Sequence, residues 1–270
     1  MLKRIIIAIV ACPIIYFIIM VSVPWPFYLF VTAVFSVGLI EIYSIFKAKK
    51  MASFIYTGLA AAVISFLLTA YTGNPACGFY TLAALLIIIL SSILITKNVE
   101  RDMPKVVNTI FPFVYLTALG TFVILLRKLP QGNYWIFSLM MLTWIYDAGA
   151  YFTGVAFGRH KLIVELSPKK SVEGFIGGII VNIAAAAILK LLIFKEFFPF
   201  FPMAHLIILA VLLSFTGQAG DIAESVIKRY TGVKNSSNLL PEMGGIMDKI
   251  DSLLFNAPVL YLYIKLFIIK

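Results

Sequence analysis

Residues 77–96 read CGFYTLAALLIIILSSILIT, a stretch without a single charged side chain. Coiled as a helix, about 20 such residues cross the hydrocarbon of a bilayer, roughly 30 Å. Reading outward in both directions, stretches of the same character recur at about 5–23, 26–46, 52–72, 107–126, 134–154, 173–194, 203–219 and 246–268. The expected fold class is therefore all-α: a polytopic integral membrane protein with about nine transmembrane helices. The whole chain agrees, being 62% hydrophobic and 13% charged over 270 residues, with a mean hydropathy of +1.03. A soluble domain carries about a quarter charged residues, so that class is excluded. Residues 1–130 form an amino-terminal region of about five spans. Residues 131–270 form a carboxy-terminal region with two long polar loops, 155–172 and 220–245, and such loops tend to carry function.

The amino terminus, Met1-Leu2-Lys3-Arg4 before an apolar run, has the look of a secretory signal. That run continues to about Val23 without an A-x-A-like cleavage site, so a retained first span is expected. Cys12 and Cys77 define no disulfide framework, and His160 and His205 lie far apart, so no zinc site is expected. The net charge of +10 does not call for nucleic acid, because its distribution over the loops accounts for it. With the amino terminus in the cytoplasm, sixteen of the twenty-two Lys and Arg fall on the inner side. Five (Arg127, Lys128, Lys195, Lys265 and Lys270) fall outside, and Lys190 stays within a span. That asymmetry fits nine spans in a cytoplasmic (inner) membrane. Eleven of the twelve acids also fall at or near the inner side, Glu196 being the exception. Carboxylates at a span are costly unless paired, hydrated or bound to a cation, so a cation-dependent site at the cytoplasmic boundary is expected.

Three stretches carry chemistry. In Gly220-Asp221-Ile222-Ala223-Glu224-Ser225-Val226-Ile227-Lys228-Arg229, the residues Asp221, Glu224, Ser225 and Lys228 share one helical face. An interfacial amphipathic helix with internal ion pairs fits the same spacing. In Gly244-Gly245-Ile246-Met247-Asp248-Lys249-Ile250-Asp251, two acids stand one turn apart at the mouth of the last span. They suit a helix start, and paired carboxylates also suit magnesium. Ser167-Pro168-Lys169-Lys170-Ser171-Val172-Glu173-Gly174 sets hydroxyls and lysines at a loop-to-helix junction, a phosphate-holding arrangement. It also reads as a positive-inside loop, with Gly174 and Gly178 as a helix-packing pair. Asp147, about two turns inside the sixth predicted span, is an intramembrane acid and a functional candidate on that ground.

Together these segments resemble the phosphatidate cytidylyltransferase (CDP-diacylglycerol synthase) family. The family signature runs S-x-φ-K-R-x4-K-D and then P-x-H-G-G-φ-x-D-R-φ-D, with φ apolar. Ser225, Lys228, Arg229, Lys234, Pro241, Gly244, Gly245, Asp248 and Asp251 stand at the matching positions. The likeness covers mainly residues 140–262. Three positions depart from it: Asn235 replaces an aspartate, Met243 a histidine and Lys249 an arginine. Asn keeps an oxygen donor without charge, Met offers no ring nitrogen, and Lys lacks the bidentate fork of Arg.

The resemblance implies transfer of CMP from CTP to phosphatidate, giving CDP-diacylglycerol and pyrophosphate on the cytoplasmic side. It implies Asp221, Lys228, Arg229, Asp248 and Asp251 as catalytic residues. Asp221, Asp248 and Asp251 would hold Mg2+, alongside a second cation such as K+. Ser167, Lys169, Lys170, Ser171, Glu173, Ser225, Lys234 and Asp147 would serve the substrates, with Asp147 supporting the metal site. Membrane lipid is the expected surroundings, and abundant small residues permit a homodimer. Rival readings are another CTP-dependent lipid transferase or kinase, an ion-coupled transporter using Asp147 and Asp221, and a family member inactivated at Asn235 and Met243.

Overall fold

The computed structural model describes residues 2–191, 202–240 and 244–269, with side chains from residue 9 onward. Lys195, Glu196, Pro241, Glu242, Met243 and Lys270 lie outside the described residues, as do the side chains of Lys3 and Arg4. The chain folds as α1 (Leu2–Met20), α2 (Trp25–Ala48), α3 (Ile55–Thr72), α4 (Cys77–Thr96), α5 (Val99–Pro112), a π-helical segment Phe113–Ala118, α6 (Leu119–Lys128) and α7 (Gly132–Phe157). It continues with β1 (Lys161–Ile163), β2 (Ser167–Ser171), α8 (Val172–Leu189), α9 (Met203–Thr231) and α10 (Met247–Phe267). Apart from one hairpin and an isolated bridge between Leu240 and Gly244, the regular secondary structure of the described residues is helical.

Among the described residues, seven helical stretches are long and apolar enough to cross a membrane. They are Trp25–Ala48, Ile55–Thr72, Cys77–Thr96, Val99–Lys128, Val172–Leu189, Met203–Thr231 and Met247–Phe267. The other two stretches expected to span are also helical, as α1 and α7. In α1 the described apolar run is only Ile9–Met20. The α7 sequence is diluted by tyrosines, tryptophans, threonines and Asp147.

Two loops differ from their sequence reading. The 155–172 segment contains an antiparallel hairpin, with Lys161 opposite Ser171 and Ile163 opposite Ser167. The 220–245 segment is helical as far as Thr231, because α9 carries its polar face straight on from its apolar part.

Two compact units result. The first comprises residues 1–133 with 228–250, the second 134–227 with 251–270. The first unit's core is built on α2, whose buried residues Phe35, Leu39, Ile42, Tyr43 and Phe46 recur at helical spacing. Gly58 lets α3 approach Tyr43, where a Cβ would meet the phenol oxygen at 2.2 Å. The Tyr43 hydroxyl donates to the Thr109 carbonyl at 3.1 Å. Pro112 has no N–H to give the helical ladder, and the wider π turn starts directly after it. Asp102 closes the α4–α5 turn by accepting from Thr96 at 2.8 Å, Arg101 at 2.9 and 3.0 Å, and Lys105 at 2.7 Å.

In the second unit, small residues draw helices together. A Cβ on Gly174 would stand 2.8 Å from the Ala150 carbonyl oxygen, and one on Gly178 2.8 Å from the Tyr146 ring. Gly174 and Gly178 are thus a packing pair against α7. Buried polar groups tie the helices further. Asn256 donates to Thr143 at 2.8 Å, Asn182 to Ser214 at 3.0 Å, and Tyr146 to Gln218 at 2.9 Å.

Candidate active site

Within the second unit, α9 packs against α10 at Gly220. A Cβ there would lie 2.4 Å from the Asp251 carbonyl oxygen, so only glycine permits the contact. The consequence is chemical. Asp221 and Glu224, on one face of α9, meet Asp251 from α10, and one carboxylate oxygen from each lies within 4.8 Å of the others. Glu224 is 1% exposed and Asp251 9%, so these two carboxyl groups lie largely away from water, while Asp221 is half-buried. The Asp251 carboxylate also accepts the Ser252 N–H at 2.7 Å. Lys170, on β2, forms an ion pair with Asp221. The hairpin therefore delivers a lysine to the acidic group.

The remaining hairpin residues divide by role. Ser171 is buried, and its hydroxyl accepts the Gly174 N–H at 3.1 Å, capping α8. Glu173 accepts the Arg159 N–H at 3.0 Å and pairs with His160 Nδ1 at 2.5 Å, fastening the chain that leads into the hairpin. Ser167 is half-buried, Lys169 is exposed, and so is Asp147 on α7.

Within the first unit lie Lys228 and Asp248. The Lys228 ammonium donates to Asp248 Oδ1 at 2.7 Å. The other oxygen, Oδ2, accepts from Ser236 N–H at 3.1 Å, Ser236 Oγ at 2.9 Å and Gly245 N–H at 2.7 Å. Arg229, Lys234, Asn235 and Lys249 are exposed, and Ser225 is half-buried. The described acids that come together as a possible cation cage are thus Asp221, Glu224 and Asp251. The set expected from the sequence had Asp248 in place of Glu224. The i, i+3 spacing of Asp221 and Glu224 was the available signal for the third member. For Glu41, a further buried acid of the first unit, no local pattern existed, since its partners lie about two hundred residues later.

Comparison with known proteins identifies the family. The sequence model of the Cytidylyltransferase family matches residues 2–267. The phosphatidate cytidylyltransferase of Bacillus subtilis (strain 168) is 33% identical over 272 residues, covering 99% of this chain and 98% of that protein. The phosphatidate cytidylyltransferase of Thermotoga maritima is 33% identical over 197 residues, or 67% of this chain and 68% of its own. That of Staphylococcus saprophyticus is 36% identical over 181 residues, 67% and 66% respectively. The match runs through the amino-terminal helices as well as the signature, and by it this chain belongs to the cytidylyltransferase family.

Proposed function

We infer that this protein transfers CMP from CTP to phosphatidate, forming CDP-diacylglycerol and releasing pyrophosphate. The observation that carries the reading is the nearly full-length kinship with phosphatidate cytidylyltransferases. The buried carboxylates beside Lys170 are the chemistry that such a reaction needs. A phosphate oxygen of the lipid forms a bond to the α-phosphorus of CTP. The bond from that phosphorus to the bridging oxygen breaks, and pyrophosphate leaves with the electron pair. The attacking phosphate is already ionised near neutral pH, so no general base is required. The barrier lies in bringing two anions together and aligning them.

The all-oxygen donor set of Asp221, Glu224 and Asp251 fits Mg2+. When bound, the ion would offset phosphate charge and orient the phosphates. Lys170 is placed to exchange its partner Asp221 for a nucleotide phosphate, with Ser167 and Lys169 on the same strand. Lys228, Arg229 and Lys234 serve as phosphate-binding cations, and Asp248 holds the Lys228 ammonium in place. The same reading assigns nine spans, with the amino terminus and the chemistry on the cytoplasmic side of the inner membrane. The loop charge asymmetry and the cytoplasmic source of CTP support it.

The test is product analysis of protein purified into lipid nanodiscs with α-labelled CTP, phosphatidate and Mg2+. The expected outcome is a labelled lipid and free pyrophosphate. Asp251→Asn is expected to lower the rate by on the order of 100-fold or more, since it removes charge from a preorganised site. Transfer of γ-phosphate to the lipid, or full activity of Asp251→Asn, would overturn the reading.

A further inference from the structure

Glu41 lies near the end of α2, in the half of the chain that carries no part of the signature. It is 5% exposed. A carboxylate so placed needs strong partners, and both of its oxygens have them. Oε1 accepts the Ser237 hydroxyl at 2.6 Å and the Ile246 N–H at 3.0 Å. Oε2 accepts the Met247 N–H at 2.8 Å and the Ser236 hydroxyl at 2.9 Å. Met247 begins α10 and Ile246 directly precedes it, at the end where backbone N–H groups have no partner within the helix. Glu41 thus caps α10 from a different helix, with its negative charge at the positive end of the dipole.

The same contacts continue into the signature. Ser236 Oγ stands 2.9 Å from Glu41 Oε2 and 2.9 Å from Asp248 Oδ2, so one buried hydroxyl, with a single proton to share, bridges the two carboxylates. The paired glycines gain a physical reason as well. A Cβ on Gly245 would lie 2.0 Å from Ser236 Oγ and 2.5 and 2.6 Å from the two Glu41 oxygens. Gly244 has φ +90, and a Cβ on it would meet Asp248 Oδ2 at 2.6 Å. Leu240 and Gly244 exchange backbone hydrogen bonds of 2.9 and 3.1 Å. Two further contacts hold the segment to α2. Lys49 lies 3.6 Å over the Tyr230 ring, and Gly38 lets Ile250 within 3.2 Å of where its Cβ would be.

We propose that Glu41 is a positioning residue for CMP transfer, acting through Ser236 on Asp248 and so on the Lys228 ammonium. The proposal rests on the cytidylyltransferase reading above. Lys228 is held by Asp248 Oδ1, and Asp248 is held in turn through Oδ2 by Ser236 and Gly245. Loosening Glu41 frees Ser236 and Gly245, which hold Asp248 and through it Lys228. Residues that orient a reacting group at one remove commonly change activity 10–100-fold when altered.

The experiment compares wild type, Glu41→Gln and Ser236→Ala in nanodiscs, reading kcat, KM for CTP and the thermal midpoint. Glu41→Gln keeps the size of the side chain but turns an NH2 toward the N–H and hydroxyl donors. Ser236→Ala keeps the Ile246 and Met247 N–H bonds that cap α10 and removes the hydroxyl that lies between Glu41 and Asp248. In both, kcat per folded molecule is expected to fall about tenfold or more, with KM for CTP within about twofold of wild type. In Ser236→Ala the thermal midpoint is expected to stay close to wild type. Unchanged kcat per folded molecule in Ser236→Ala overturns the proposal, even if Glu41→Gln fails to accumulate. So does a loss in Glu41→Gln that tracks only the unfolded fraction. Absence of CMP transfer by the wild type would instead strike the underlying functional reading.

Discussion

Lys170 illustrates what a single half-buried side chain contributes. It reaches from β2 to Asp221, one of three acids whose oxygens lie within 4.8 Å of each other. Its charge offsets part of their repulsion in the free protein, and a nucleotide phosphate is a better partner than a carboxylate already facing two others. Lys170→Ala is expected to lower kcat/KM for CTP by about tenfold or more, since a charge-assisted hydrogen bond contributes about 1.5–3 kcal/mol. Steady-state kinetics against CTP at saturating phosphatidate check this, and Lys170→Arg should recover part of the loss. The sequence alone marked this lysine as a candidate phosphate binder. Its engagement with Asp221 was not legible there, because the two stand 51 positions apart in the chain.

Between elements, the crossing of α9 and α10 decides the acidic group. Helical spacing alone puts Asp221 and Glu224 on one face, so that half of the group could be read from sequence. Adding Asp251 required the backbones to touch, and the touching point is Gly220. The obstacle to any larger residue is a carbonyl oxygen, which cannot swing aside as a side-chain tip can. Gly220→Ala is expected to destabilise the protein by about 1–3 kcal/mol through overpacking. It is also expected to reduce CMP transfer well beyond the loss of folded protein, because the carboxylates are moved apart. Thermal unfolding in detergent alongside activity per folded molecule separates the two effects. The hairpin β1–β2 follows a related logic: Ser171 ends the strand and caps α8 with one hydroxyl, so the lysines before it have a defined direction.

For the whole molecule, the question is which side of the membrane each turn faces. Nine spans with the amino terminus inside put the α3–α4 turn, at Asn74, outside and the α4–α5 turn, at Asn98, inside. Cys12 is exposed and Cys77 buried, so both are first replaced by serine or alanine. In intact cells a membrane-impermeant maleimide is then expected to label Asn74→Cys and spare Asn98→Cys until the membrane is opened. The opposite pattern would reverse the orientation, and labelling of both would remove a span between them. The division into two units adds a point that no linear reading supplies. The segment 228–250 belongs to the same compact unit as residues 1–133, so the signature lysine and Asp248 rest on the amino-terminal helices.

Uncharged runs of bilayer length determined from sequence alone that this chain is a helical membrane protein. Hydrophobicity acts locally and needs no partner to be read. Motif spacing likewise determined the family, since the signature is a linear pattern. Tertiary structure decided which acids meet and what fixes them in place. Asp221, Glu224 and Asp251 come together at a glycine crossing, and Asp248 is fastened to Glu41, 195 residues before Ser236, through one hydroxyl. Such contacts depend on helix packing across long loops of chain, and a period of 3.6 residues carries no record of a partner two hundred positions away.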